Sequence, residues 1–128
     1  MSIRKYVDDR YLVPSGKYLG RIHAVSQKCK EGRSWTVIAV EIADGFFQSR
    51  LVFDIIRRGG FSKEAVQHDR DREASLVALG GKKRKYTRAC RGLVGRLVEI
   101  EVVERWRSDL GCTANGIRSY RRTDRFLT

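Results

Sequence analysis

The feature that most constrains the fold is a series of three strand-like runs separated by short polar connections. Residues 17–26 alternate between two faces, and residues 34–43 are rich in β-branched side chains without helical spacing. The dipeptide Asp44-Gly45, which is typical of tight hairpins, leads directly into a third run at residues 46–55. The sequence therefore predicts a three-stranded antiparallel meander.

One helix and two more strands are predicted further along the chain. Residues 62–79 carry apolar side chains at roughly helical spacing, and Ser62 is a suitable N-cap. Residues 93–107 and 115–120 have strand patterns, while residues 27–33 are predicted to form the first hairpin loop. Three strands, one helix and two strands is the order of an OB-fold, a mainly β five-stranded barrel with one helix between the third and fourth strands. This fold binds oligonucleotides on its second and third strands and its hairpin loops.

The predicted organisation is a single domain with short extensions. The length of 128 residues suits one compact domain. We assign residues 1–14 to an N-terminal segment, residues 15–121 to the OB-fold domain and residues 122–128 to a basic C-terminal tail. No apolar run reaches the ~18–20 residues of a membrane span, and the first residues lack the apolar core of a signal peptide. We therefore expect a cytoplasmic protein of a bacterial or phage-infected cell, without a membrane partner.

The sequence does not predict an enzyme, and no cofactor is expected. There is no P-loop, GxSxG or HExxH motif. The three cysteines form no CxxC pair, so neither a metal site nor a disulfide framework is predicted. The alternating acids and arginines of residues 69–72 are interpreted as a self-compensated helix surface.

The charge of the chain points to a polyanionic partner. Lys and Arg number 27 against 15 Asp and Glu, which gives a net charge of +12 and a pI near 10.2. The candidates are DNA, RNA and an anionic membrane surface. Solubility alone is a weaker explanation, because net charges of about 2–8 suffice for a small domain. Residues 82–91 hold six cations and no acid, so they are predicted to contact phosphates rather than to form only a solvated loop.

Aromatic side chains supply the second requirement for binding a single strand, which is stacking on exposed bases. We predict that the apolar face at residues 38, 40 and 42 belongs to the core, which turns Trp35 outward. On the third strand, residues 47, 51 and 53 are predicted to be core, which turns Phe46 and Arg50 outward. Trp35, Phe46 and Arg50 would then form one platform. Trp106 shares a face with apolar residues and is expected in the core unless its strand bends.

The predicted nucleic-acid contacts combine cations that track phosphates with aromatic side chains that stack on bases. An aromatic residue on a short barrel strand is, however, core more often than not. The predicted set is Arg21, Lys28, Lys30, Arg33, Trp35, Phe46, Arg50, Lys82, Lys83, Arg84, Lys85, Tyr86, Arg88, Arg105, Arg107, Arg118, Arg121 and Arg122.

The chain resembles a family of small OB-fold single-stranded DNA-binding proteins from phages, plasmids and other mobile elements. The resemblance runs over residues 13–120, in the segments "VPSGKYLGRI", "SWTVIAVEIADG", "FFQSRLVFD", "SLVALGG", "LVGRLVEIEVVE" and "GCTANGIRSY". It implies a DNA-coating protein that acts near recombination or replication proteins. Many single-strand-binding proteins end in an acidic tail that recruits partners, whereas this chain ends in a basic one, so the tail is expected to touch DNA.

Three functional hypotheses remain open from the sequence. The first is a sequence-independent single-stranded DNA-binding protein that supports replication, recombination or transfer of a phage or mobile element. The second is an RNA-binding OB domain, and the third is a basic adaptor that docks on an acidic protein. A recombinase or replication protein is an expected partner of the first. We also expect a homo-oligomer, a dimer or larger, because many OB proteins associate through strand edges.

Overall fold

The computed structural model describes residues 12–79, 92–108 and 111–123, which form five strands and one helix. The predicted order of three strands, a helix and two strands is confirmed. The elements are β1 (Gly16–Lys30), β2 (Arg33–Ile42), β3 (Leu51–Gly59), α1 (Lys63–Leu79), β4 (Leu97–Arg107) and β5 (Cys112–Arg121).

All five strands belong to one antiparallel sheet in the order β3-β2-β1-β4-β5, which is consistent with an OB-like fold. Among the described residues β3 and β5 share no main-chain ladder, so the sheet is not closed into the expected barrel. Instead the Tyr120 hydroxyl of β5 donates a 2.8 Å hydrogen bond to Asp54 of β3. The two outer strands are therefore joined through side chains.

The long central strand β1 belongs to two ladders. Its first part pairs with β4 and its second part with β2, and Gly20 pairs with both Ile42 and Val98. A Cβ atom on Gly20 would lie 2.5 Å from Val40 Cγ1, closer than real Cβ contacts allow. The shared point of the two ladders therefore requires glycine, since only a residue without a side chain fits beside Val40.

The first hairpin is tighter than predicted. Its turn consists of Glu31 and Gly32, with φ angles of 53° and 76°, as a two-residue type I′ turn requires. Residues 27–30, expected in the loop, continue β1 and pair with β2. The basic residues at the end of the β1–β2 hairpin, Lys28, Lys30 and Arg33, therefore lie on regular paired strands.

The predicted core face of the third strand is wrong at residues 51 and 53, whereas Phe46 is exposed and Phe47 packs against the core, as predicted. Residues 43–50 form a longer turn, in which the Ser49 N–H bonds to the Ile42 carbonyl and Ser49 takes a φ of 75°. Strand β3 therefore starts at Leu51, five residues later than predicted. Val52 and Asp54 point into the core, while Leu51 is exposed. The change follows from the pleat, because the turn that precedes β3 fixes which alternate residues face inward.

The core lies between the strands and the inner face of α1. The predicted core face of β2 is confirmed, because Ile38, Val40 and Ile42 are fully buried. Burying an aliphatic side chain of this size contributes about 1.5–3 kcal/mol. The predicted N-cap is also confirmed, since the Ala65 N–H donates to Ser62 Oγ. The packed domain includes Val13, whose main-chain N–H and C=O both bond to the Asn115 side chain.

Candidate functional site

A cleft of about 650 Å³ opens where β3 and β5 face each other without a ladder. Its rim is formed by the end of the β1–β2 hairpin on one side and by the end of β4 on the other. Lys30, Arg33 and Trp35 line the first side, and Arg105 and Arg107 line the second. This position, between the first and last hairpins and next to the third strand, is the one at which OB-folds bind oligonucleotides and oligosaccharides.

An aromatic pair forms one wall of the cleft. The rings of Trp35 and Phe61 meet edge to face, with centroids 6.4 Å apart and an interplanar angle of 80°. The Arg33 guanidinium lies 5.6 Å from the centroid of the Phe61 ring, within range of a cation–π interaction. The buried Trp35 Nε1 has no hydrogen-bond partner in the part of the chain that the structure describes. The wall therefore offers π surface and a cation close together.

A buried network of charges forms the floor. Asp69 of α1 accepts bonds from Arg57 Nε at 2.8 Å and Nη2 at 3.0 Å, and from the Arg57 main-chain N–H at 2.8 Å. Arg72, one turn further along α1, donates to Asp69 at 2.9 Å and to Asp54 at 3.1 Å. Two guanidinium groups thus face two carboxylates. The network is electrically balanced and leaves few of its polar atoms without a bond, which is the condition for keeping charges buried.

The pKa values of the two carboxylates in this network are shifted in opposite directions from the value of an ordinary aspartate. Burial raises the pKa of Asp54, and the Arg72 charge and the Tyr120 hydroxyl offset only part of that rise. Burial alone would also raise the pKa of Asp69, but its hydrogen bonds from Arg57 and the charge of Arg72 together lower it. Asp69 is therefore the firmly ionised member of the pair.

The rest of the cleft carries unbalanced positive charge. Six cations and three carboxylates line it within the described residues, and two cations are already matched by the network on the floor. Arg105 forms no ion pair with a carboxylate of the described chain. Partial burial, followed by the nearby charge of Arg72, lowers the pKa of Arg105. The cleft is therefore suited to an anionic ligand.

The cleft gathers part of the predicted contact set. Lys30, Arg33, Trp35, Arg105 and Arg107 line it. Lys28 is adjacent, since it pairs with Trp35 across β1 and β2. Several predicted residues lie on other surfaces within the described part of the chain, among them Arg118, whose partner is Glu101 at 3.8 Å. These residues are Arg21, Phe46, Arg50, Arg118, Arg121 and Arg122. Lys82, Lys83, Arg84, Lys85, Tyr86 and Arg88 lie outside the described residues.

The predicted platform of Trp35, Phe46 and Arg50 is not assembled. Trp35 lies near the start of β2, and Phe46 lies in the turn beyond its end, about 20 Å away at ~3.3 Å per residue of strand. Trp106 is also placed differently from expectation, because its side chain is 66% exposed near the end of β4. Phe46 and Trp106 therefore lie on surfaces separate from the cleft.

Sequence reasoning missed the floor of the cleft and Phe61. The prediction of a self-compensated helix surface at residues 69–72 is wrong, because Asp69 and Arg72 are buried while Arg70 and Asp71 are exposed. The signal was the spacing, since positions 69, 72, 76 and 79 form one stripe along the helix. The partners of this stripe on β3 and β5 carry no local signal in the sequence.

Compared with known proteins, the chain matches no protein-family model, and no curated protein matches it. In the described parts of the chain, no helix is long and apolar enough to cross a membrane. Within residues 12–79, 92–108 and 111–123, no three His, Cys, Asp or Glu side chains are grouped so that they could hold a metal ion.

Proposed function

We propose that the protein binds single-stranded nucleic acid, with DNA as its ligand, in the cleft between the β1–β2 hairpin and β4. The observation that carries the proposal is the meeting of an excess of cations over carboxylates and an aromatic wall at one opening. Backbone phosphates need the first, and unpaired bases need the second. In a duplex the bases are already stacked on one another, so they cannot stack on the aromatic wall.

The cations of the cleft act on the phosphates. Lys30 and Arg33 lie on one side and Arg105 and Arg107 on the other, so a strand that runs through the cleft passes between two rows of positive charge. Each neutralised phosphate of a single strand releases counterions and contributes about −0.7 to the slope of log affinity against log salt concentration. Binding by this route does not depend on the base sequence.

The aromatic wall acts on the bases. One face of Phe61 is covered by Arg33, and Trp35 is half-buried beside it, so the wall suits a small number of stacked bases. Stacking contributes about 1–3 kcal/mol per base. The proposed biological role follows the family resemblance. The protein would coat DNA without catalysis in the cytoplasm during replication, recombination or transfer of a phage or mobile element.

The first test compares three ligands by fluorescence anisotropy. A labelled single strand of about 30 nucleotides, long enough for more than one OB-fold site, is titrated beside the same sequence as a duplex and as RNA. Each titration is repeated at two salt concentrations. A preference for single-stranded DNA that survives the higher salt supports the proposal. Tighter binding of RNA favours an RNA-binding domain. If all three ligands bind equally and binding disappears at the higher salt, the net charge alone explains the binding. This result would favour a basic adaptor.

A second test separates the cleft from total charge. The double variant Lys30→Ala, Arg105→Ala removes one cation from each side of the cleft. The matched control Arg21→Ala, Arg121→Ala removes two exposed cations elsewhere. We expect the cleft variant to lose about tenfold in affinity per charged contact, and the control to lose much less. Equal losses in both variants would contradict a role for the cleft.

A further inference from the structure

Arg105, on the rim of the cleft, lies beside the balanced network of the floor. Arg57 and Arg72 are held by Asp69 and Asp54, at distances of 2.8–3.1 Å. Arg105 lines the same cleft, close enough to Arg72 for the two charges to interact. Within the described residues, Asp54 and Asp69 bond to Arg57 or Arg72, and neither bonds to Arg105. Arg105 therefore keeps an unmatched positive charge within the described part of the chain, and an unmatched charge in a partly desolvated place is the usual condition for anion binding.

We propose that Arg105 and the neighbouring floor of the cleft form a discrete phosphate-binding subsite. The ligand class is a phosphate oxyanion, either a phosphodiester inside a strand or a terminal phosphate monoester. A guanidinium matches the geometry of phosphate oxygens through its planar fork of donors. This subsite deepens the proposed function and rests on it for its biological ligand.

The network beside Arg105 gives the subsite a fixed floor. Asp69 accepts from the side chain and the main chain of Arg57, so the fork of Arg57 is already used on one carboxylate. Arg72 is likewise fixed between two carboxylates and is buried. These two arginines and their carboxylates form a fixed and electrically balanced floor, and Arg105 supplies the charge and the donors that reach the ligand. A phosphate bound here requires no rearrangement of Arg57 and Arg72, and only the Arg105 side chain has to become ordered.

The subsite can be tested without any oligonucleotide. The thermal unfolding midpoint is measured in inorganic phosphate and in chloride at matched ionic strength, for the wild-type chain, for Arg105→Gln and for the control Arg121→Gln. Glutamine keeps much of the aliphatic stem while removing the charge. We expect phosphate to raise the midpoint of the wild type and of Arg121→Gln but not of Arg105→Gln. An equal response of all three chains would overturn the subsite.

Oligonucleotide binding then identifies the source of the phosphate. We expect Arg105→Gln to lose about tenfold in affinity for a single strand, as the loss of one charged hydrogen bond predicts, and Arg121→Gln to lose less. Matched strands with a 5′-phosphate or a 5′-hydroxyl distinguish the two forms. Tighter binding of the phosphorylated strand by the wild type assigns a terminal monoester, and equal binding assigns an internal phosphodiester.

The two proposals fail in different ways. If phosphate stabilises the wild type through Arg105 but no strand binds, the subsite stands and the nucleic-acid function falls. If strands bind with the expected preference but Arg105→Gln behaves like Arg121→Gln in both assays, the function stands and the subsite is refuted.

Discussion

The two ends of the β2–β3 hairpin both present aromatic side chains, yet they differ in what surrounds them. At one end Trp35 is half-buried against Phe61, beside Arg33 and above a network of buried charges. At the other end Phe46 is 95% exposed and touches Phe47, with centroids 5.0 Å apart. Phe47 packs edge-on against Tyr18, so the exposed ring sits on other aromatic rings.

This comparison shows that exposure alone is a poor guide to a binding surface. Phe46 is the more exposed of the two rings, but Trp35 is the one that lies among cations and lines a cleft. Scattered exposed apolar side chains are normal on soluble proteins and need no partner. The Trp35 end is therefore the better match for a ligand that carries both negative charge and aromatic rings.

The largest expected effect comes from breaking the network that supports the Trp35 end. Arg72→Ala would leave Asp54 and Asp69 buried with fewer partners, and removal of one member of a buried pair costs about 3–5 kcal/mol. Urea unfolding measures the loss. The neighbouring Arg70→Ala, which changes an exposed residue, should alter the unfolding free energy by less than ~0.5 kcal/mol. Similar losses for both variants would show that the network contributes little.

A smaller effect is expected when the two aromatic ends are compared directly. Trp35→Ala should weaken binding of a single strand by about 1–3 kcal/mol, because it removes a stacking surface in the cleft. Phe46→Ala should leave the affinity nearly unchanged. Anisotropy at equal salt gives both values, and circular dichroism checks that each variant is folded. If Phe46→Ala weakens binding as much as Trp35→Ala, the DNA path includes the opposite end of the hairpin.

The smallest expected effect concerns stability in acid. The folded pKa of Asp69 lies below its unfolded value, so its contribution is present above the ordinary Asp pKa of ~3.9 and is lost as the pH falls through the folded pKa. The raised pKa of Asp54 acts in the opposite sense, because its contribution is lost as the pH rises through its folded pKa. When the pH is lowered, the free energy of unfolding should therefore fall less for Asp69→Asn than for the wild type. Urea unfolding at a series of pH values checks this, and an unchanged acid slope would contradict it.

Much of the fold could be predicted because strand order and the core face of β2 depend on local patterns. Ile38, Val40 and Ile42 alternate in a way that leaves one choice of inner face. The faces of β3 could not be predicted in the same way. The Asp44-Gly45 pair suggested a two-residue turn, while the chain forms a longer one before Leu51. A two-residue turn at Asp44-Gly45 would pair Val40 with Ser49, whereas Val40 pairs with Val52. This shift of three positions is odd, and it therefore exchanges the two faces of the strand.

The cleft could be predicted only in part, for a different physical reason. Its rim consists of basic and aromatic residues, whose chemistry is visible in the sequence. Its floor joins Asp54 of β3, Asp69 and Arg72 of α1, and Tyr120 of β5. The bonded residues are up to 66 positions apart in the sequence, and sequence spacing does not show which distant polar residues will be in contact.

The hydrogen bond between the Arg57 main-chain N–H and Asp69 also affects strand pairing between copies of the protein. The outer edge of a sheet offers main-chain donors and acceptors that invite a strand from another molecule. At Arg57 the carboxylate of Asp69 already occupies the place of a neighbouring strand's carbonyl group. A strand from a second copy could add to β3 at this point only after displacing that carboxylate. The same side chain that anchors the helix therefore protects this point of β3 against aggregation.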